Sequence, residues 1–571
     1  MVMEDYIVDV YPEKAQFMAN EQINIVIELL NTSDESVNAD MEVKVGFLYD
    51  VQDVLRFKVN LLPDEGKKLF HVSINPKDVE SMGYGIDVYL YCRDDLLQVF
   101  SSSFDIVSDW RKTIRCGFLS DFYPEDSGDV EDVRSMSKLH LNLVQFYDWM
   151  YRHDELVPHA SEFKDLMGRV LSLDVVKEKV KYCHEYGMKA VAYGAVYAAS
   201  NNFYSRHKDW ALYDSNNKVL NFLDLFFIMN ISQDSPWHKH IIRQYRNAVE
   251  QVDFDGIHMD AYGFPKQAIS KLNNIDKIER LEEHFPILIN NTKKELEKVK
   301  KDIFIIFNNV GNWPVDAVAS TEQDAVYIEV WKPYERYHHI QQLIFWAKYL
   351  SEGKPAILAA YLKPFAEEDS EKKHKAEISA LILTAVITAN GGYHLLLGEK
   401  NGVLTEGYYV NYSRLEDCFF RTIRNYYDFL VRYSNIFFDN GLKDVSMTHA
   451  EGDNLEYMFE NFPYSTYGEA GKVWLIIREN SKYKTISFIN LTGCNDDMWN
   501  KGKETPLYVE KIHVKVQVEK NVRSVFLASP DCEMGRPQKA DYCIEDGKRG
   551  KNVVLNIGRL YIWSVLVIEM E

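Results

Sequence analysis

The period of the apolar pattern changes twice along this chain, and that limits its fold more than any single motif. Up to about residue 110, short runs such as "INIVIELL", "MEVKVGFLYD" and "IDVYLYCR" alternate apolar with polar residues between the turn-rich "NTSDES" and "PDEGK". A period of two buries one face of a strand, so residues 1–110 read as an Ig-like antiparallel β-sandwich. From "RKTIRCGFLSDFY" onward, strand-like runs alternate with helical ones: "LHLNLVQF", "GMKAVAYGAVY", "FDGIHMDAYG", "DIFIIFNNVG", "AVYIEVW", "PAILAAYL" and "GGYHLLLGE". With the first, that makes eight. The segments between them are long enough for right-handed crossovers, which predicts a (β/α)8 barrel over residues 111–440. An open doubly wound sheet is the runner-up, but no Gly-rich phosphate fingerprint follows the first run. The period returns to two in "VWLIIREN", "KTISFIN" and "KIHVKVQV", predicting a second β-sandwich over 441–571.

Charge and cysteine usage exclude several classes of function. A formal net charge of -21 argues against nucleic acid and anionic membrane as partners, because phosphate binding needs clustered Lys and Arg. The seven cysteines are scattered, odd in number and without a C-x-x-C pair, so they read as reduced thiols. No cluster has zinc spacing and no calcium loop is visible, so neither metal nor cofactor is expected. No run of about 18 apolar residues is present, and the first residues, "MVMEDYIVDVYPEK", lack the features of a signal peptide. Localisation stays open between a secreted protein that has lost its leader and a cytoplasmic one. The chain is expected to act as a monomer.

In a barrel the carboxyl ends of the strands converge on one face, and chemistry belongs there. Asp121 follows the first run, Tyr147 and Trp149 the second, Tyr193 and Tyr197 the third, and Asp260 the fourth. Asn308 and Asn309 end the fifth, Glu329 and Trp331 the sixth, Tyr361 the seventh, and His394 and Glu399 the eighth, with Asn401 just beyond. Acids, amides and aromatics in this arrangement suit a carbohydrate, whose C–H faces stack on rings while its hydroxyls need paired donors and acceptors. Any one of the aromatics serves equally well in a core, and any one acid as an ion-pair partner or helix cap. Two acids are more telling. "FDGIHMDAYG" and "VYIEVW" each deliver a carboxylate at a strand end, Asp260 and Glu329, 69 positions apart. Glycosidic cleavage uses such a pair, one as nucleophile or base and one as acid. Asp255 lies at the amino end of its strand and is assigned to structure. His258 shares the face of Asp260 and is as readily a core histidine as a sugar contact.

Together with "LGEKNGVLTEGYYV", these motifs resemble glycoside hydrolase family 66, the dextranases and cycloisomaltooligosaccharide glucanotransferases. The resemblance runs along the whole chain. It implies a retaining mechanism on α-1,6-glucan, dextran and isomaltooligosaccharides, with Asp260 as nucleophile and Glu329 as acid/base. Their carboxyls are then expected about 5 to 5.5 Å apart, with Glu329 carrying the raised pKa and Asp260 ionised. Cyclising members of the family carry a module inserted in the barrel, and residues 198–254 are too short to hold one, which favours endo-hydrolysis over cyclisation. Trp149 and Tyr197 are expected on the non-reducing side of a groove, with Asp121 anchoring the sugar at the scissile position and Trp331 and Asn401 completing the rim. A retaining exo-α-glycosidase and a non-catalytic glucan-binding protein are the remaining alternatives.

Overall fold

The computed structural model describes residues 6–63, 65–75, 82–450, 452–547 and 550–571. It is a mixed α/β chain rich in sheet. Near the N-terminus a three-stranded sheet (Ile7–Pro12, Ile23–Leu29, Lys68–Ile74) and a five-stranded sheet share one apolar core. The alternation explains why: Met41, Val43 and Val45 point into that core while Glu42 and Lys44 between them are part-exposed.

The central sheet runs through eight parallel neighbours: β1 (Cys116–Leu119), β2 (Leu143–Phe146), β3 (Lys189–Ala195), β4 (Gly256–Asp260), β5 (Phe304–Val310), β6 (Ala325–Glu329), β7 (Ala356–Ala359) and β8 (Tyr393–Leu395). The chain of β8 continues into Leu397–Gly398, where Gly398 pairs with Phe118 of β1, so the sheet curls until its last segment meets its first. Several strands are shorter than their apolar runs. In "LHLNLVQF", His140 takes a left-handed φ of 55° and the ladder begins only at Leu143.

Helices cover the outside of this sheet. In the helix Pro236–Val252, Ser235 accepts a hydrogen bond from the Trp237 N–H, Pro236 sits in the first turn, and Asp253 at φ 68° ends it. Its inner face buries Trp237, Ile241, Tyr245, Ala248 and Val252, and each large side chain removed from water contributes about 1.5–3 kcal/mol. Between β5 and β6 the connection contains only a four-residue helix, Val315–Val318.

The helix Asp417–Arg432 ties the centre to the N-terminal sheets. Arg432 forks onto both oxygens of Asp87 at 2.8 Å each, and Ser102 donates to Asp428 at 2.7 Å, all of them buried. Gly85 permits this approach, since a Cβ there would lie 2.1 Å from the Arg432 guanidinium carbon. Toward the C-terminus two sheets, antiparallel except where Tyr464–Ser465 runs parallel to Val473–Glu479, share a core of Leu475, Phe488, Val514 and Leu566. The opposite face of one sheet presents Trp563 to Phe429 and Phe437, with ring centroids 4.9 and 5.2 Å apart. Among the described residues no helix is long and apolar enough to cross a membrane.

Candidate active site

Alternation along β4 sends Ile257 and Met259 outward and His258 and Asp260 inward; β6 likewise presents Tyr327 and Glu329 on its inner face. Asn308, on β5 between them, joins the two acids. Its Nδ2 donates to Asp260 Oδ1 at 2.7 Å and to Glu329 Oε2 at 3.1 Å, so those two oxygens are separated by no more than 5.8 Å, the sum of the two bonds. Tyr193 donates to the other Asp260 oxygen at 2.7 Å and Tyr361 to the other Glu329 oxygen at 3.0 Å. Behind Tyr361 the hydroxyls continue to Tyr409, at 3.3 Å, and from Tyr409 to Tyr327, at 2.9 Å. All four carboxylate oxygens thus have a donor.

The two acids lie in a cavity of about 870 Å³ whose walls include Tyr147, Asp148, Phe222, Trp313, Trp331 and Tyr408. Gly407 comes so close that a Cβ on it would lie 2.9 Å from Glu329 Oε1. Burial, and then the charge of Glu329, pushes the Asp260 carboxyl up to about 7 against the donors Tyr193 and Asn308. Burial raises Glu329 as well, opposed by Asn308, Trp331 and Tyr361. The expectation that only Glu329 would be raised is therefore corrected. Two buried carboxyls so close titrate as a pair, and the pair retains a proton near neutral pH. His258 is held neutral, pushed down to about 3 by burial, and packs against Tyr327 with ring centroids 4.5 Å apart and planes tilted by 49°. Among the described residues no group of three or more His, Cys, Asp or Glu is placed to hold a metal ion.

Residues 12–567 match the family model of glycosyl hydrolase family 66. The chain belongs to that family. A cycloisomaltooligosaccharide glucanotransferase from Niallia circulans is 22% identical over 82% of this chain and 62% of its own length. A dextranase from Streptococcus salivarius is 22% identical over 82% of this chain and 65% of its own length. The chain therefore spans less than two thirds of each of these two family 66 relatives. A Paenibacillus sp. cycloisomaltooligosaccharide glucanotransferase, solved in complex with cycloisomaltoheptaose, superimposes with a TM-score of 0.88 at 19% identity, covering 98% of this chain and 99% of that one. That likeness shows a shared fold.

Of the residues singled out in the sequence of this family 66 chain, Asp260, Glu329, Tyr147, Tyr193, His258, Asn308, Trp331 and Tyr361 meet on the cavity wall. Seven others do not. Asn309 is buried and donates to the Tyr327 carbonyl at 2.8 Å. Trp149 is fully buried, donates its indole N–H to the Tyr193 carbonyl at 3.1 Å and packs on Phe254. Asp148, at φ 49°, turns the chain after β2, so the acid faces the cavity and the indole faces the core. Tyr197 is a strut behind Asp260, donating to the Phe264 carbonyl and accepting the Tyr262 N–H, both at 2.6 Å. Asp121 is held by Lys400 and Tyr412 at 3.0 Å each. Glu399 is buried and accepts from the Ser120 and Asp121 N–H groups at 2.7 and 3.0 Å, and burial pushes it up to about 8. Asn401, at φ 56°, turns toward Asp417, and His394 donates to the Ala360 carbonyl at 3.0 Å.

Asp255 is structural. It binds His184 at 2.7 Å and Lys300 at 3.0 Å and accepts the Ala190 N–H, and these partners hold its carboxyl well below the usual range despite burial. Sequence reasoning missed Asp148, Phe222, Tyr327 and Tyr409. Tyr327 was findable, since it lies two residues before Glu329 and so shares its face. Tyr409 arrives on a short 3-10 helix far along the chain; it lies within "LGEKNGVLTEGYYV", but no strand alternation there fixes the direction of its side chain.

Proposed function

We propose that this chain is a retaining glycoside hydrolase that cuts α-1,6-glucan internally, on a (β/α)8 barrel of residues 111–440 flanked by β-sandwiches over 1–110 and 441–571. Asp260 attacks the anomeric carbon while Glu329 gives its proton to the departing glycosidic oxygen. A glucosyl ester forms on Asp260; Glu329, now a carboxylate, takes a proton from the incoming water, and the ester is released with the original configuration. The observation that carries this reading is the single Asn308 amide bound to both acids. A limit of 5.8 Å between the bridged oxygens favours direct attack over a water-mediated displacement, for which the two groups stand about 6.5 to 9.5 Å apart. The proton held by the pair near neutral pH is the one Glu329 donates; each acid accepts one tyrosine hydroxyl and the shared Asn308 amide, and the shorter bonds to Asp260, 2.7 Å each against 3.0 and 3.1 Å to Glu329, favour Asp260 as the ionised partner.

One further observation supports an internal cut: the aromatic walls of the cavity come from different parts of the sheet's rim. Glucosyl transfer is a second reading, favoured by a Niallia glucanotransferase that aligns with 99% of this chain. A time course of products from dextran, with proton NMR of the first anomer, tests both. Linear oligosaccharides of mixed length with an α-anomeric end are expected. A β anomer formed first would end the retaining reading, and cyclic products would favour transfer.

A further inference from the structure

Between β3 and β4 a hairpin of Asn221–Phe222 and Phe226–Ile228 places its tip on the wall of the active-site cavity. In its three-residue loop, Leu223 and Asp224 both take left-handed φ values, 58° and 55°, at the centre of a turn that the Leu225 N–H closes on the Phe222 carbonyl at 3.2 Å. Such a turn prefers Asn and Gly; a branched leucine in the left-handed region is strained. Leu223 gains nothing from the fold in return. The residue is 61% exposed, and Phe222 beside it is 38% exposed. Phe222 continues an aromatic surface to Tyr262 and Phe264, with centroids 5.0 and 6.1 Å away. Tyr262 lies two residues past Asp260 and Trp331 two past Glu329, so this apolar tip extends the nucleophile's side of the cavity and Trp331 the acid's side.

An apolar side chain that is both strained and exposed, on the wall of a catalytic cavity, is compensated when something covers it. We infer that the Leu223–Phe222 tip is a sugar subsite, seating the C–H face of a glucosyl unit at least one residue removed from the bond being cut, and that it helps to set product length. This rests on the α-1,6-glucan reading above. The tip commits to a neutral, partly apolar ring as occupant, continuous with the cavity that takes the rest of the chain.

The variant Leu223→Asn tests this without endangering the fold, since Asn is at home at a left-handed turn position and its thermal midpoint should equal or exceed that of the parent. With isomaltohexaose and isomaltotriose as probes, the ratio of kcat/KM for long over short should fall about fivefold through loss of apolar contact, KM moving more than kcat. The product ladder from dextran should shift in length, and Phe222→Ala should shift it in the same sense. If the parent cuts dextran while both variants give its ladder and its ratio, the functional reading stands and this inference is wrong. If the parent releases nothing from dextran, both fall. A change in oligomeric state by light scattering, with the ratio unmoved, would assign the tip to a second copy of the chain and overturn the subsite.

Discussion

The Tyr193 hydroxyl donates to Asp260 Oδ2 at 2.7 Å from the neighbouring strand, where β3 and β4 pair Tyr193 with His258 and Ala195 with Asp260. This bond stabilises the carboxylate against the burial that favours its protonation. In Tyr193→Phe the ionised Asp260 loses a donor, so on the proposed mechanism the acid limb of kcat/KM should move up by as much as about one pH unit and kcat should fall about tenfold. A pH–rate profile reads both. A limb that stays in place would remove Tyr193 from the control of Asp260.

The same burial links activity to stability. Burial and the charge of Glu329 push the Asp260 carboxyl, ordinarily near 3.8, up to about 7, so the folded chain binds the proton shared by the pair more tightly than the unfolded chain does. For this group stability is greatest below about pH 4, declines as pH rises, and is fully lost above about 7. Asp260→Asn should therefore be inactive yet more stable than the parent at pH 8, by about 1–3 kcal/mol, with the gain vanishing toward pH 4. Calorimetry at the two pH values checks the sign. An Asn variant less stable at pH 8 than at pH 4, relative to the parent, would contradict it.

Azide separates the roles of the two acids. With an aryl α-isomaltoside, whose leaving group needs no proton, Asp260→Ala leaves room on the nucleophile's side, and azide entering there yields a β-glycosyl azide. In Glu329→Ala the ester on Asp260 still forms, and azide displaces it to give the α-azide. NMR of the products distinguishes the two, and the opposite pairing would exchange the assignments.

Trp149 belongs to the core. Trp149→Ala should cost about 3–5 kcal/mol in a urea titration, through loss of its packing on Phe254 and the cavity left behind. Trp149→Phe should keep much of that stability and leave the dextran product ladder as it is. A changed ladder in a stable Trp149→Phe would return the residue to the sugar groove.

The pair of acids was legible because strands end where their apolar pattern ends, and an acid at that point has its direction fixed by alternation. Asp260, Glu329, Tyr193 and Asn308 all sit within strands, where that rule holds. Two residues past the ladder it fails. At Asp148 a single left-handed residue exchanges the acid for Trp149, and beyond β8 the left-handed Lys400 and Asn401 turn the chain away from the cavity. Glu399 misleads for another reason: a buried acid satisfied by backbone N–H groups has the same sequence signature as one that faces substrate. The hairpin tip is invisible in sequence because its meaning lies in a mismatch between residue and conformation, which only coordinates reveal.

The seam between the helix Asp417–Arg432 and the N-terminal sheet limits how this chain can be taken apart. Arg432 has its counterion, Asp87, on the other side of the seam, and Asp428 receives Ser102 from there. A fragment beginning after residue 110 would retain the guanidinium with neither its anion nor the glycine-lined bed that seats it. The central region is thus not a cassette; any exchange of the N-terminal segment of this chain has to keep Asp87 and Gly85 as the seat of Arg432.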